Sequence, residues 1–217
     1  MKITIENEVF HYNVQYGKGK KLSLHIDSFG FITVKAPNGT SEPVIQQELH
    51  NWGSWIIDRV KERESKKVDP LARQYVPKGT FRYLGEERPL QELIETQGLS
   101  EDQLKHNLKK FYFNQCKILI ESRIKSYQKE LKVSAKEISI IESFGKWGSC
   151  NSNKKLAFNY RLAMAPIDVI DYVIIHELCH ITHMNHDRSF WRRVGSIMPD
   201  YKEKEDYLAR NQHMMTL

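Results

Sequence analysis

Apolar and polar positions alternate with a period of two through most of residues 2–36. Ile3, Ile5 and Val9 lead into Leu22, Leu24 and Ile26, then Phe31, Thr33 and Val34. That spacing predicts strands, with Gly17, Gly19 and Gly30 at the turns and Ser28-Phe29-Gly30 as a hairpin turn. Pro37-Asn38-Gly39 closes the section. The period then lengthens. Ser41 is an N-cap, Pro43 sits in the first turn, and Ile45, Leu49, Trp52, Ile56 and Val60 recur at helical spacing. The charged run over 59–67 is the solvated end of this helix, and Pro70 stops it. Phe81 to Leu84, the turn Gly85-Glu86-Glu87, and the residues from Arg88 onward predict a second hairpin.

Gly98 and Ser100 mark the next boundary. Leu104, Leu108, Phe111, Cys116, Leu119, Ile120, Ile124 and Tyr127 follow at three-four spacing, the pattern of one long amphipathic helix. Ile138 to Ile141 reads as a strand, 144–154 as a loop rich in Gly, Ser and Asn, and Leu156 to Leu162 as another strand. Pro166 opens a further helix, with Asp168 and Asp171 in its first two turns, where the helix dipole favours acids. The resulting fold class is α+β. An N-terminal β-rich section with one long helix spans 1–97, and a second section spans 98–217; the two can also form one continuous domain. No internal repeat or low-complexity segment is present.

The helix after Pro166 carries the chemistry. It contains His176-Glu177-Leu178-Cys179-His180, with His186 six residues beyond. Residues i and i+4 stack on one helix face about 6 Å apart, so His176 and His180 point the same way. Ile170, Val173, Ile174, Ile175, Leu178 and Ile181 make the helix apolar on nearly every side, which predicts burial. Two imidazoles and a carboxylate there are costly unless something satisfies them, and a metal ion does so directly. H-E-x-x-H on a helix is the zinc hydrolase pattern.

A catalytic zinc needs three protein ligands and one open position. On an unbroken helix His183 lies about 10 Å along the axis from His176, too far to share an ion with both other rings. His186 would point roughly 240° away from His180, and serves only if the helix stops and the chain turns back. Asn185 tolerates a left-handed turn, and Asp187 and Ser189 can cap a second helix over Phe190 to Ile197. The spacing therefore favours His176, His180 and His186 as ligands of one zinc ion per chain. His183 is left as a solvent-facing residue or an outer hydrogen-bonding group. Glu177 sits where a general base belongs. Asp171, Asp187 and Asp200 are candidates to orient the imidazoles, and the sequence does not choose among them. Lys146 to Cys150 reads as a structural loop at the rim, with Cys150 within reach of the metal as the alternative.

Composition narrows the setting. Apolar content of 40% and charged content of 28% are those of a globular protein, and no apolar run is long enough to span a bilayer. The first residues lack a signal-peptide core. Three cysteines at wide spacings argue against a disulfide framework and for a reducing, cytoplasmic compartment. A net charge of +6 leaves nucleic acid open as a partner, although the basic residues are scattered.

Trp147-Gly148-Ser149-Cys150, Asn159-Tyr160-Arg161-Leu162, Pro166, Asp171-Tyr172-Val173, His176 to His180, Asn185-His186 and Phe190-Trp191 together resemble the YgjP-like metallopeptidase family, which is related to SprT-like zinc proteases. The Gly30 hairpin with Pro37, Trp55-Ile56 and Tyr83-Leu84-Gly85 extend the resemblance over nearly the whole chain. It implies a zincin-like catalytic domain in the second section, with His176, His180 and His186 on zinc and Glu177 as base. His183 stands where metzincins carry a turn glycine, so the turn is made differently. The expected activity is cleavage of a peptide or protein substrate by zinc-activated water. Hydrolysis of a phosphate ester or nucleotide, and a nucleic-acid-associated protease of SprT-like type, are the alternatives. Tyr160, Arg161 and His183 are the candidates for stabilising the oxyanion.

Overall fold

The structure, a computed structural model, describes residues 1–5, 8–26, 32–58, 75–143 and 145–217. It divides the chain into two compact units, Met1–Lys66 and Lys67–Leu217. The expected hairpin turn at Ser28 to Gly30, the helix end at Val60, the charged run and Pro70 lie outside the described residues.

In the first unit, strands β1 (Lys2–Ile5), β2 (Glu8–Gly17), β3 (Ser23–Ile26) and β4 (Ile32–Pro37) form one sheet in the order β1-β2-β4-β3. Neighbours pair antiparallel except β2 and β4, which run parallel from Tyr12 opposite Ile32 to Gly17 opposite Pro37. Helix α1 (Glu42–Asn51) has Pro43 in its first turn. A local break at Trp52 interrupts the expected long helix, and helical backbone resumes over 53–58. Gly53 suits the bend, because a Cβ there would stand 2.9 Å from Cγ2 of Ile5. The core joins Ile3, Ile5, Tyr12, Ile32 and Val34 to Ile45, Leu49 and Ile56. Burial of such side chains is worth about 1.5–3 kcal/mol each before entropy.

The second unit begins with the hairpin of β5 (Thr80–Tyr83) and β6 (Glu86–Pro89) and a single helical turn, α2 (Leu90–Leu93). Leu84 and Gly85 at its tip both have positive φ, 51° and 87°, as a tight two-residue turn requires. A Cβ on Gly85 would stand 2.8 Å from Cγ of Pro166, so close packing as well as φ demands glycine. The backbone N–H groups of Leu84 and Gly85 donate to the carbonyls of Ala163 and Met164. The hairpin thus belongs to the second unit.

Helix α3 (Glu101–Leu131) starts at a reciprocal cap. Ser100 accepts from the N–H of Gln103, and the Gln103 side chain accepts from the N–H of Ser100. Its apolar stripe buries Leu104, Leu108, Tyr112, Cys116, Ile120 and Ile124. A three-stranded sheet follows, in the order β7-β9-β8: β7 (Glu137–Ile141), β8 (Gly148–Cys150) and β9 (Lys155–Asn159). Two expectations change here. The region read as a loop contains β8, which is too short to show a period. The strand read as Leu156 to Leu162 ends at Asn159, where the side chain accepts from the N–H of Arg161 and turns the chain into a 3-10 helix, Tyr160–Met164. That segment is buried throughout and apolar apart from Arg161, so it imitates a buried strand.

Helix α4 (Ile167–Cys179) follows Pro166, and all residues from Val169 to Cys179 are buried. It packs against α3, β8 and the two last helices, α5 (Arg188–Ile197) and α6 (Tyr201–Asn211). Lys204 of α6 ties its own start to that of α4, at 3.0 Å from Asp200 and 2.7 Å from Asp168. Among the described residues no helix is long and apolar enough to cross a membrane.

Candidate metal centre

Helix α4 ends where the second histidine is needed. After Cys179 the chain leaves the helix through tight turns, with Ile181 N–H bonded to Leu178, and Thr182 and His183 N–H bonded to Cys179. Asn185 does not make the reversal in a left-handed conformation, as expected from its type; it is absent from the positive-φ residues. The reversal instead combines those turns with the cap of α5, where Asp187 Oδ1 accepts from the N–H of Ser189 at 2.8 Å and of Phe190 at 2.9 Å. His186, immediately before that cap, is thereby carried back over α4.

The result brings the three expected histidines together. The Nε2 atoms of His176 and His180 are 3.2 Å apart, and that of His186 is 2.9 Å from each. All three residues are buried. Three nitrogens held about 2.0–2.1 Å from one tetrahedral zinc stand about 3.3 Å apart, so the triangle needs to open by only a few tenths of an ångström. Three imidazole nitrogens at these separations cannot all present lone pairs to one another without repulsion, and a shared cation removes that conflict. The donor set therefore fits a metal ion of the kind imidazole prefers.

Aromatic rings enclose the triangle. Phe190 stacks on His180 at 4.5 Å between centroids and meets His176 and His186 edge-on. Trp191 lies 5.4 Å from His186 and itself stacks on Tyr201 at 5.2 Å. Burial first, and the neighbouring His180 and His186 second, hold the His176 pKa well below 6.5, so its ring is neutral at pH 7 and able to donate a lone pair.

The surrounding groups settle into roles the sequence left open. The Nδ1 of His180 lies 3.0 Å from the carbonyl oxygen of His183, the geometry of a ring N–H donating to backbone. The carboxylates considered for this task are engaged elsewhere. Asp171 accepts both Arg123 nitrogens at 2.5 Å, Asp200 pairs with Lys204, and Asp187 caps α5. The ring of His183 lies 3.1 Å from the hydroxyl of Ser189.

Glu177 is 1% exposed. Strand β8 lies against it so closely that a Cβ on Gly148 would stand 2.5 Å from its Oε1. Cys150, on the same strand, has its thiol pushed up to about 12 by burial and by the Glu177 charge. Burial does the same to Cys116 and Cys179. All three cysteines are free thiols, protonated at neutral pH and unsuited to nucleophilic attack. Arg161 is buried with its guanidinium 5.0 Å from the centre of the Trp147 ring.

No curated protein matches the chain. A buried histidine triangle beside a buried glutamate, set on a helix against a short mixed sheet, is the kind of site a metallopeptidase needs. The model of the YgjP-like metallopeptidase domain matches residues 20–211, and the chain belongs to that family.

Proposed function

We propose that the protein is a zinc peptidase whose Glu177 is the general base. The observation that carries this reading is the convergence of three buried Nε2 atoms at 2.9–3.2 Å on one side of the helix that also carries Glu177. His176, His180 and His186 would hold the ion. Bound there, zinc supplies a Lewis acid that polarises a peptide carbonyl and acidifies a water molecule. The Glu177 carboxylate takes a proton from the attacking water and passes it to the departing nitrogen, so that the C–N bond breaks with a neutral amine leaving. Phe190 and Trp191 exclude bulk water around the imidazoles, which strengthens each electrostatic contact inside.

A carboxylate base beside a three-histidine metal suits hydrolysis of an uncharged, poorly activated bond such as an amide. The match to a metallopeptidase domain over residues 20–211 supports a peptide or protein as the substrate. Free thiols at all three cysteines suit a reducing compartment, and we place the protein in the cytoplasm. The test uses a mixed pool of quenched-fluorescent unstructured peptides. Cleavage should disappear with a chelator, return with stoichiometric zinc, and stay absent in Glu177→Gln. Cleavage that survives complete metal removal rejects the reading.

A further inference from the structure

Gly148 is an unusual glycine. It lies in extended backbone, and its φ is not in the left-handed region, so conformational freedom does not explain it. Space does. The three atoms nearest to an added Cβ would all stand under 3.0 Å, and all belong to one side chain: Glu177 Oε1 at 2.5 Å, Cγ at 2.7 Å and Cδ at 2.8 Å. The missing side chain on β8 is thus a slot filled by the end of Glu177.

The slot is fixed from behind by Asn159. Its backbone N–H donates to the Trp147 carbonyl at 2.8 Å. Its side-chain amide donates to the carbonyls of Ser143 at 2.5 Å and Lys146 at 2.9 Å, while its Oδ1 accepts from the N–H of Arg161. Asn159 is completely buried. Among the described residues β8 pairs only with β9, with Gly148 opposite Phe158, so the Asn159 bonds supply the restraint at the end of β8 where Gly148 sits. The Arg161 guanidinium over the buried Trp147 ring adds to that restraint.

We propose that Gly148 is a positioning residue for Glu177, with the side chain of Asn159 setting how deep the slot stands against helix α4. It rests on the reading of Glu177 as the general base. A general base must stay within hydrogen-bond reach of the proton it takes, and a small displacement is enough to lose much of the rate. A methyl group at 148 forces either β8 or the carboxylate to move, and it acts on Glu177 without touching the histidines by the contacts described.

The test is a double-mutant cycle read by thermal stability, which needs neither substrate nor metal. The variants are Gly148→Ala, Glu177→Ala and the pair. Glu177→Ala removes the three atoms nearest to the new methyl. Gly148→Ala alone should lower Tm by roughly 3–10 °C. The same change in the Glu177→Ala background should cost almost nothing, a non-additivity expected only of residues in contact. A Gly148→Ala protein that fails to fold while the double variant folds gives the same answer. Equal losses in both backgrounds, no loss in either, or failure of both variants to fold overturns the proposal. Peptide turnover supplies a second arm. Gly148→Ala and Asn159→Asp should keep zinc at one per chain and lower kcat tenfold or more with KM little changed, and Gly148→Ala should cost nothing further on Glu177→Gln. Loss of zinc with activity would make the slot merely structural. Full activity in Glu177→Gln would reject the catalytic reading while leaving the stability cycle standing.

Discussion

His180 Nδ1 lies 3.0 Å from the backbone oxygen of His183. One residue thus orients a neighbour's imidazole through a group that no substitution of its side chain removes. This separates His183 from His186, whose Nε2 is 2.9 Å from both other rings. His183→Ala should retain zinc within about tenfold of the parent affinity. His186→Ala should lose it to a mild competing chelator, because three ligands become two. Zinc competition titrations on the two variants make the comparison, and the reverse order would show that the chain path after α4 is different.

Glu177→Gln preserves the shape that fills the Gly148 slot and removes the charge and basicity that let it accept a proton. Metal content should stay at about one per chain, while peptide turnover falls roughly a hundredfold or more. Loss of zinc alongside activity would show that the carboxylate is a ligand.

The sequence exposed most of this centre because its signals are local. An i, i+4 histidine pair in an all-apolar helix is visible in a dozen residues, as is the Asp187-x-Ser189 cap that returns His186 to it. The strand at Gly148 to Cys150 was not visible, since three residues cannot establish a period. The end of β9 lies before the expected Leu162 because Tyr160 to Met164, apolar apart from Arg161, has the same composition whether the backbone is extended or coiled into a 3-10 turn. The acceptor that orients His180 is a backbone oxygen rather than one of the candidate aspartates, and a backbone oxygen carries no sequence signature. Nor does the slot at Gly148, whose meaning depends on a helix residue 29 positions further along the chain (177 minus 148).

Asp187 holds the first turn of α5 through the N–H groups of Ser189 and Phe190 and also accepts the Ser189 hydroxyl at 2.6 Å. Removing such a cap typically costs about 0.5–2 kcal/mol. Asp187→Ala should therefore lower Tm by a few degrees and weaken zinc binding, since His186 is the next residue back; Asp187→Asn should recover most of both. The Ser189 hydroxyl first, and the Phe190 N–H next, hold the Asp187 pKa below the usual carboxylate value. Its charged contribution is therefore complete above the unfolded pKa of about 3.9 and is lost as pH falls through the lower folded value. Acid titration of Tm in the parent and in Asp187→Asn should diverge only in that acidic window.

His176 acts in the same direction, but in a higher pH window. Its folded pKa lies well below 6.5 while the unfolded chain titrates near 6.5. Below that pH the unfolded state binds a proton that the folded state refuses, so metal-free protein should lose stability progressively from about pH 6.5 downward. Above it, this residue contributes no pH dependence. Zinc-saturated protein should hold its Tm to lower pH, because the ion occupies the lone pair. Identical acid profiles with and without zinc would show that His176 does not bind it.

On the proposed function, the three Nε2 atoms hold one zinc ion. Elemental analysis of the purified, zinc-supplemented and desalted protein tests it most directly. About one zinc per chain is expected in the parent and in Glu177→Gln, and almost none in His186→Ala. A parent protein without zinc, or a His186→Ala variant that retains a full equivalent, would contradict it.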